Sequence, residues 1–166
     1  MKMQQYGPLL IMQVTVMFGC SMRTSSTDTD HDVQSIQIFF HFGRFNELDT
    51  FKGIYQKDLI PGIATTTMWL TQREQEIILT KVEQIQFFSL PDTLHRESNV
   101  LVFPDLGPQV LRINYRDQDK TVVWNEPISP QSKAKSQIDD LTRLLKDIIL
   151  SRPEYKALPA TKGGYL

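Results

Sequence analysis

One cysteine, three histidines and no surplus of positive charge set the first limits on this chain of 166 residues. With Cys20 as the only thiol, an internal disulfide is excluded, and so is a metal site built from several thiolates. His31, His41 and His95 lie far apart, and none has a partner at a metal-ligand spacing such as HxxxH. The 18 basic and 19 acidic side chains nearly cancel, far from the basic excess of a nucleic-acid binder. No GxSxG elbow is present, and Gly163-Gly164 lacks the strand and helix that a phosphate loop requires. No cofactor is therefore expected. The longest apolar run, Leu9–Phe18, has about ten residues, whereas crossing a bilayer takes roughly 20.

What is present begins with Met1–Cys20, MKMQQYGPLLIMQVTVMFGC. Lys2 and the free amine make a small positive start, Leu9–Phe18 is a short apolar core, and Gly19 is a small residue beside the cysteine. That order describes a secretory signal. The competing reading is an apolar strand or core helix with an incidental buried cysteine. Residues 21–32 (SMRTSSTDTDHD) have too little apolar surface to fold and read as a tether to the rest of the chain. Asp28, Asp30, His31 and Asp32 in it can chelate a divalent ion, but a solvated linker is the simpler reading.

Met17-Phe18-Gly19-Cys20 resembles the lipobox of bacterial lipoproteins. The resemblance implies cleavage before Cys20, a diacylglyceryl group on its thiol and a further acyl chain such as palmitate on the new terminus. It also implies a lipid-anchored cell-envelope location, with the outer membrane favoured in a Gram-negative cell because Ser21, and no aspartate, follows the cysteine. One acyl chain alone holds a protein only marginally, whereas two or three on one residue hold it durably. Removing residues 1–19 takes away one lysine, leaving 17 basic against 19 acidic groups. The LDTF, WLTQREQE and PEYKALPATKGGYL stretches are similar to small bacterial envelope lipoproteins of unassigned activity, which implies location and fold alone. The expected organisation is a signal peptide at 1–19, a lipidated cysteine and tether at 20–32, and one domain at 33–166.

Within that domain, Ile36, Ile38, Phe40 and Phe42 recur at period two and predict a strand over 33–42, with Phe39 and His41 on its other face. Residues 43–49 read as a turn, 50–58 as a second strand with Phe51, Gly53 and Tyr55 on one face, and 65–70 as a third. Thr71-Gln72-Arg73-Glu74 fits a capping box opening a helix to about Gln86, with Ile78, Val82 and Ile85 as its buried stripe supported by Ile77. Residues 91–108 carry three prolines and read as a long, functionally interesting connection. Gln109–Tyr115 and Lys120–Trp124 predict a hairpin. A final helix from about Lys133 to Leu150 carries Ile138, Leu141, Leu145, Ile148 and Ile149 on one face. The tail is too rich in proline and glycine for regular structure, although Tyr155, Leu158, Tyr165 and Leu166 can dock on the domain. The expected class is α+β: an antiparallel sheet of about five strands with two helices on one face, in the order β-β-β-α-β-β-α.

Candidate chemistry is sparse. Glu47 and Asp49, two apart in the expected turn, can face a groove as the paired carboxylates of a small envelope hydrolase, with Asp92 and Asp105 as further acids. Tyr55, Trp69, Tyr115 and Trp124 can line an aromatic surface for a protein, peptide or cell-wall component, though core packing is the simpler reading for each. His95 is a binding candidate because it falls in the long loop. A sheet edge can accept an extended peptide. The expected function is a lipid-anchored envelope binding module rather than an enzyme, partnered by the membrane through Cys20 and by an envelope protein or cell-wall ligand. The hydrolase is the alternative.

Overall fold

The structure, a computed structural model, describes residues 35–95, 103–129 and 131–163. The chain separates into two units at Asp32/Val33, and every described residue lies in the second. Cys20, the preceding apolar run, the 21–32 tether, Tyr165 and Leu166 fall outside the described residues.

Seven strands form one sheet: β1 (Gln37–Phe42), β2 (Asn46–Asp49), β3 (Ile54–Asp58), β4 (Ile63–Thr67), β5 (Thr93–Leu94), β6 (Gln109–Tyr115) and β7 (Gln118–Trp124). Their order is β4-β3-β2-β1-β6-β7-β5. All neighbours are antiparallel except β5, which runs parallel to β7. Among the described residues three α-helices complete the fold: α1 (Gln72–Gln84), α2 (Lys133–Ser151) and the short α3 (Pro153–Lys156).

The α+β class expected from the pattern is present, but the sheet is larger than five strands and is mixed. Two strands account for the difference. β2 has a single core residue, Leu48, so its alternation is too short to show; it is a strand because β1 and β3 pair with it on both sides. β5 lies inside the proline-rich connection and is two residues long.

Local chemistry also moves the expected boundaries. Thr50 and Phe51 are not strand but turn. Asp49 Oδ1 accepts from the Lys52 amide (3.2 Å), and Thr50 Oγ1 accepts from the Ile38 amide (2.7 Å). Gly53 closes the turn at φ +67°, a left-handed conformation that glycine adopts without strain. β4 then begins at Ile63 and stops before Met68.

The capping box at Thr71 forms as the spacing predicts: Thr71 Oγ1 accepts from the Glu74 amide (3.2 Å), and Glu74 Oε2 accepts from the Thr71 amide (2.7 Å). Ile78, Val82 and Ile85 are buried, but Ile77 is 43% exposed and leaves the expected stripe. Ser132 caps α2, and the Gln137 side-chain amide donates to the Ile85 carbonyl (2.6 Å), tying α2 to the end of α1. The tail is not wholly irregular. Proline at the first helical position starts α3, and Tyr155 and Leu158 pack against the core as expected.

One face of the sheet makes the core. The cross-strand row Tyr55, Leu48, Phe40, Leu111 and Val122 is wholly buried, and it forms one cluster with Ile78 and Val82 of α1 and with Ile138, Leu141, Leu145 and Ile149 of α2. Burying each of these large side chains contributes about 1.5–3 kcal/mol, which explains why the fold needs no disulfide.

Candidate functional site

The inward face does not end with its apolar row. One step toward the β1–β2 turn, the same face carries Phe42, Asn46 and Lys57 (Phe42 pairs with Asn46), which the last two turns of α2 and α3 cover only in part. The space left is a cleft of about 310 Å³. That is at the small end of the ligand pockets of proteins, roughly 300–1,000 Å³. Leu106, from the proline-rich connection, reaches its rim.

Hydrogen bonds fix the cleft's floor. Asn46 Oδ1 accepts from the Asp58 amide (3.2 Å) and, weakly, from the Tyr55 hydroxyl (3.4 Å). Burial pushes the Tyr55 phenol well above its ordinary value, with Tyr155 adding to the effect, so it remains a neutral donor. The Tyr155 ring meets that of Tyr55 edge-on at 5.7 Å. Beyond α3 the chain is laced to β3: Lys57 Nζ donates to the Pro159 carbonyl (2.8 Å), Thr161 Oγ1 to the Asp58 carbonyl (2.9 Å) and the Lys162 amide to the Leu59 carbonyl (3.0 Å).

Among the described residues that line the cleft, the charged ones are Arg44, Lys57, Lys146 and Asp58, and the two lysines are the ones that matter. Lys57 is only 8% exposed, and its ammonium lies 4.5 Å from the Tyr155 ring centroid. Lys146 is half-buried, its ammonium 5.2 Å from the ring centroid of Phe42 and 6.0 Å from that of Phe40. Among the described residues neither ammonium has a carboxylate within ion-pair distance. Burial pulls Lys146 below the ordinary lysine value; Asp139 and Glu126 oppose this from further off, and Lys135 reinforces it.

A second, more open groove of about 480 Å³ crosses the other sheet face, lined by Phe39, Phe51, Val110 and Arg112 among others. Its charges are already satisfied. Lys52 Nζ donates to Asp49 Oδ2 (2.7 Å), and Arg112 Nε donates to Asp119 Oδ1 (2.9 Å) while its guanidinium covers the Phe51 ring. Among the described residues, then, it is the two lysines of the cleft, not the cations of the groove, that lack an ion-paired carboxylate.

The residues singled out from the sequence do not form one surface. Tyr55 (1% exposed) and Trp124 (3%) are core residues, although Tyr55 also lines the cleft. Trp69 is 57% exposed and lies over Gly53, where a Cβ would come within 2.1 Å of its ring. Tyr115 is half-buried beneath the Arg116 guanidinium, and His95 is exposed just after β5. Glu47 and Asp49 do share a face, but of a strand. Glu47 faces His41 (3.7 Å), whereas Asp49 is buried on Lys52. Asp92 pairs with Lys120, and Asp105 accepts from the Gly107 amide (2.9 Å). None of these four acids lines the cleft. Among the described residues, no three His, Cys, Asp or Glu side chains gather as a metal site would require.

Ser132 and Lys135 have the S-x-x-K spacing of some acyl-transfer enzymes, at the start of α2. Here the lysine is occupied: its ammonium donates to Asp139 Oδ2 (2.9 Å) and Glu126 Oε1 (3.3 Å). Burial lowers its proton affinity, but those carboxylates outweigh it and leave the net value raised. A lysine held in its protonated form is not a base for Ser132.

No known protein family matches the chain. Nor does any curated protein match it significantly. The functional reading therefore rests on the cleft and on the N-terminal pattern.

Sequence reasoning missed Lys57 and Lys146, and both had left a signal. Lys57 alternates with Tyr55 and so must point inward, and Lys146 interrupts the apolar side of α2 between Thr142 and Ile149. A charge placed on a core-facing position is the pattern to look for.

Proposed function

We propose that the chain is a lipid-anchored cell-envelope protein whose folded domain is a binding module, with the cleft beside α2 as its ligand seat. The anchoring half of this reading is supported by the signal-like run, the lipobox-like Met17–Cys20 and the polar tether after it. The binding half is carried by one observation: two partly or wholly buried lysines line a cleft that, among the described residues, supplies them with no ion-pairing carboxylate. Groups placed so are a poor choice for stability alone and a good one for holding something.

The hydrolase reading needs two carboxyl groups facing each other across a substrate, about 5–9 Å apart. Among the described residues that line the cleft, Asp58 is the one carboxylate, and nothing favours that reading further.

The seat is tested with an uncharged probe. Titrating the isotope-labelled full chain with 1-octanol is expected to shift the amide resonances of Asn46, Lys57 and Tyr155. Shifts confined to Phe39, Val110 and Arg112 on the other sheet face would overturn the assignment of the cleft.

A further inference from the structure

Resting on the cleft as the ligand seat, we infer that its ligand is a small amphipathic anion: one anionic head received between Lys57 and Lys146, and an apolar body against Phe42, Ile60, Leu106 and Ile149. Three features of the cleft carry this.

The first is the direction of its charge. Lys57 and Lys146 bring two ammonium groups to the cleft with no carboxylate in ion-pair distance among the described residues, so an anion entering gains attraction and a cation meets repulsion. The second is the state of the two lysines. Lys57 spends one of its three donors on the Pro159 carbonyl and has no carboxylate; Lys146 has no hydrogen-bond acceptor at all among the described residues, only the faces of Phe40 and Phe42. Partial burial has already removed much of the water from both, so a ligand's head has less left to displace. Burial also depresses the proton affinity of Lys146, and an adjoining anion would restore it. The third is the wall. Its remaining lining is dominated by aliphatic and aromatic side chains, which would gain little from an inorganic ion but contribute through the area they bury against a hydrocarbon body. An eight-carbon chain is within the scale of the 310 Å³ available.

The test compares three probes of one length on the full chain: octanoate, 1-octanol and octylamine. Octanoate is expected to bind with one site, shifting Asn46, Lys57 and Tyr155, and about ten-fold or more tighter than 1-octanol. Octylamine is expected to bind more weakly than either. Lys146→Gln should reduce octanoate affinity about ten-fold and 1-octanol affinity by much less. Lys57→Gln should do the same, but it also removes the bond to Pro159, so Lys146→Gln is the cleaner variant. Equal binding of octanoate and 1-octanol in the cleft, insensitive to Lys146→Gln, would overturn the inference and leave the cleft as a seat for neutral ligands. Absence of any probe from the cleft would overturn both.

Discussion

Replacing Lys146 by methionine should make the unliganded domain more stable. The wild-type ammonium is half-buried, faces two aromatic rings and has no ion-pairing partner among the described residues. Its attraction to the rings contributes about 0.5–1 kcal/mol, and a methionine thioether on the same rings contributes a comparable amount. These cancel to first order. What remains is the desolvation of a charge, which methionine does not incur, so the variant should gain about 0.5–1 kcal/mol. In a domain of about 130 residues this raises Tm by roughly 2–4 °C. The gain has a pH signature. Burial sets the folded-state value of Lys146 below the unfolded one of about 10.4, against the opposing pull of Asp139 and Glu126 and with the push of Lys135. While charged, the group therefore costs stability, and the cost fades as pH rises through the depressed value toward about 10.4. Urea unfolding followed by circular dichroism at pH 7 and pH 10 measures both. The methionine variant should be ahead at pH 7, with a smaller lead at pH 10. A loss of 1 kcal/mol or more at pH 7, or a gain that grows with pH, would refute the reasoning (either result would make Lys146 a structural cation).

Two further substitutions test the framework of the fold. Gly53→Ala places a Cβ into the Trp69 ring and holds alanine at φ +67°, so it should cost about 2 kcal/mol and displace the Trp69 fluorescence; adding Trp69→Ala should return the steric part and leave about 1 kcal/mol. Thr71→Ala removes the hydroxyl half of the capping box and should lower stability by about 1 kcal/mol in chemical denaturation, with Thr71→Ser recovering most of it.

What could be read from the sequence depended on how long each pattern ran. The strand through Ile38 and Phe40, the hairpin Gln109–Trp124, the capping box and the stripe of α2 are each several periods long or chemically specific, and all are present. β2 was hidden because four residues with one core leucine carry no period, and its strand character comes from neighbours distant in sequence. β5 was hidden because two residues following a proline read as loop, whereas the Val123 amide pairing with the Asp92 carbonyl fixes them to β7. The cleft was hidden for a different reason. It joins β1–β3 to α2 and α3 across about a hundred residues of sequence, and no local spacing records that meeting. Tyr55 stands out for its ring but matters through its burial, and the inward-facing lysines beside it show only where they interrupt an apolar face.

The account as a whole hangs on where the chain is held. Growing cells with an alkyne-tagged fatty acid and comparing the wild-type chain with Cys20→Ala measures this directly. Label on the wild type, none on the variant, and a mature terminus at residue 20 by mass spectrometry is the result the account predicts. An unlabelled chain with Met1 intact, or a Cys20→Ala variant that still takes up the label, would contradict it.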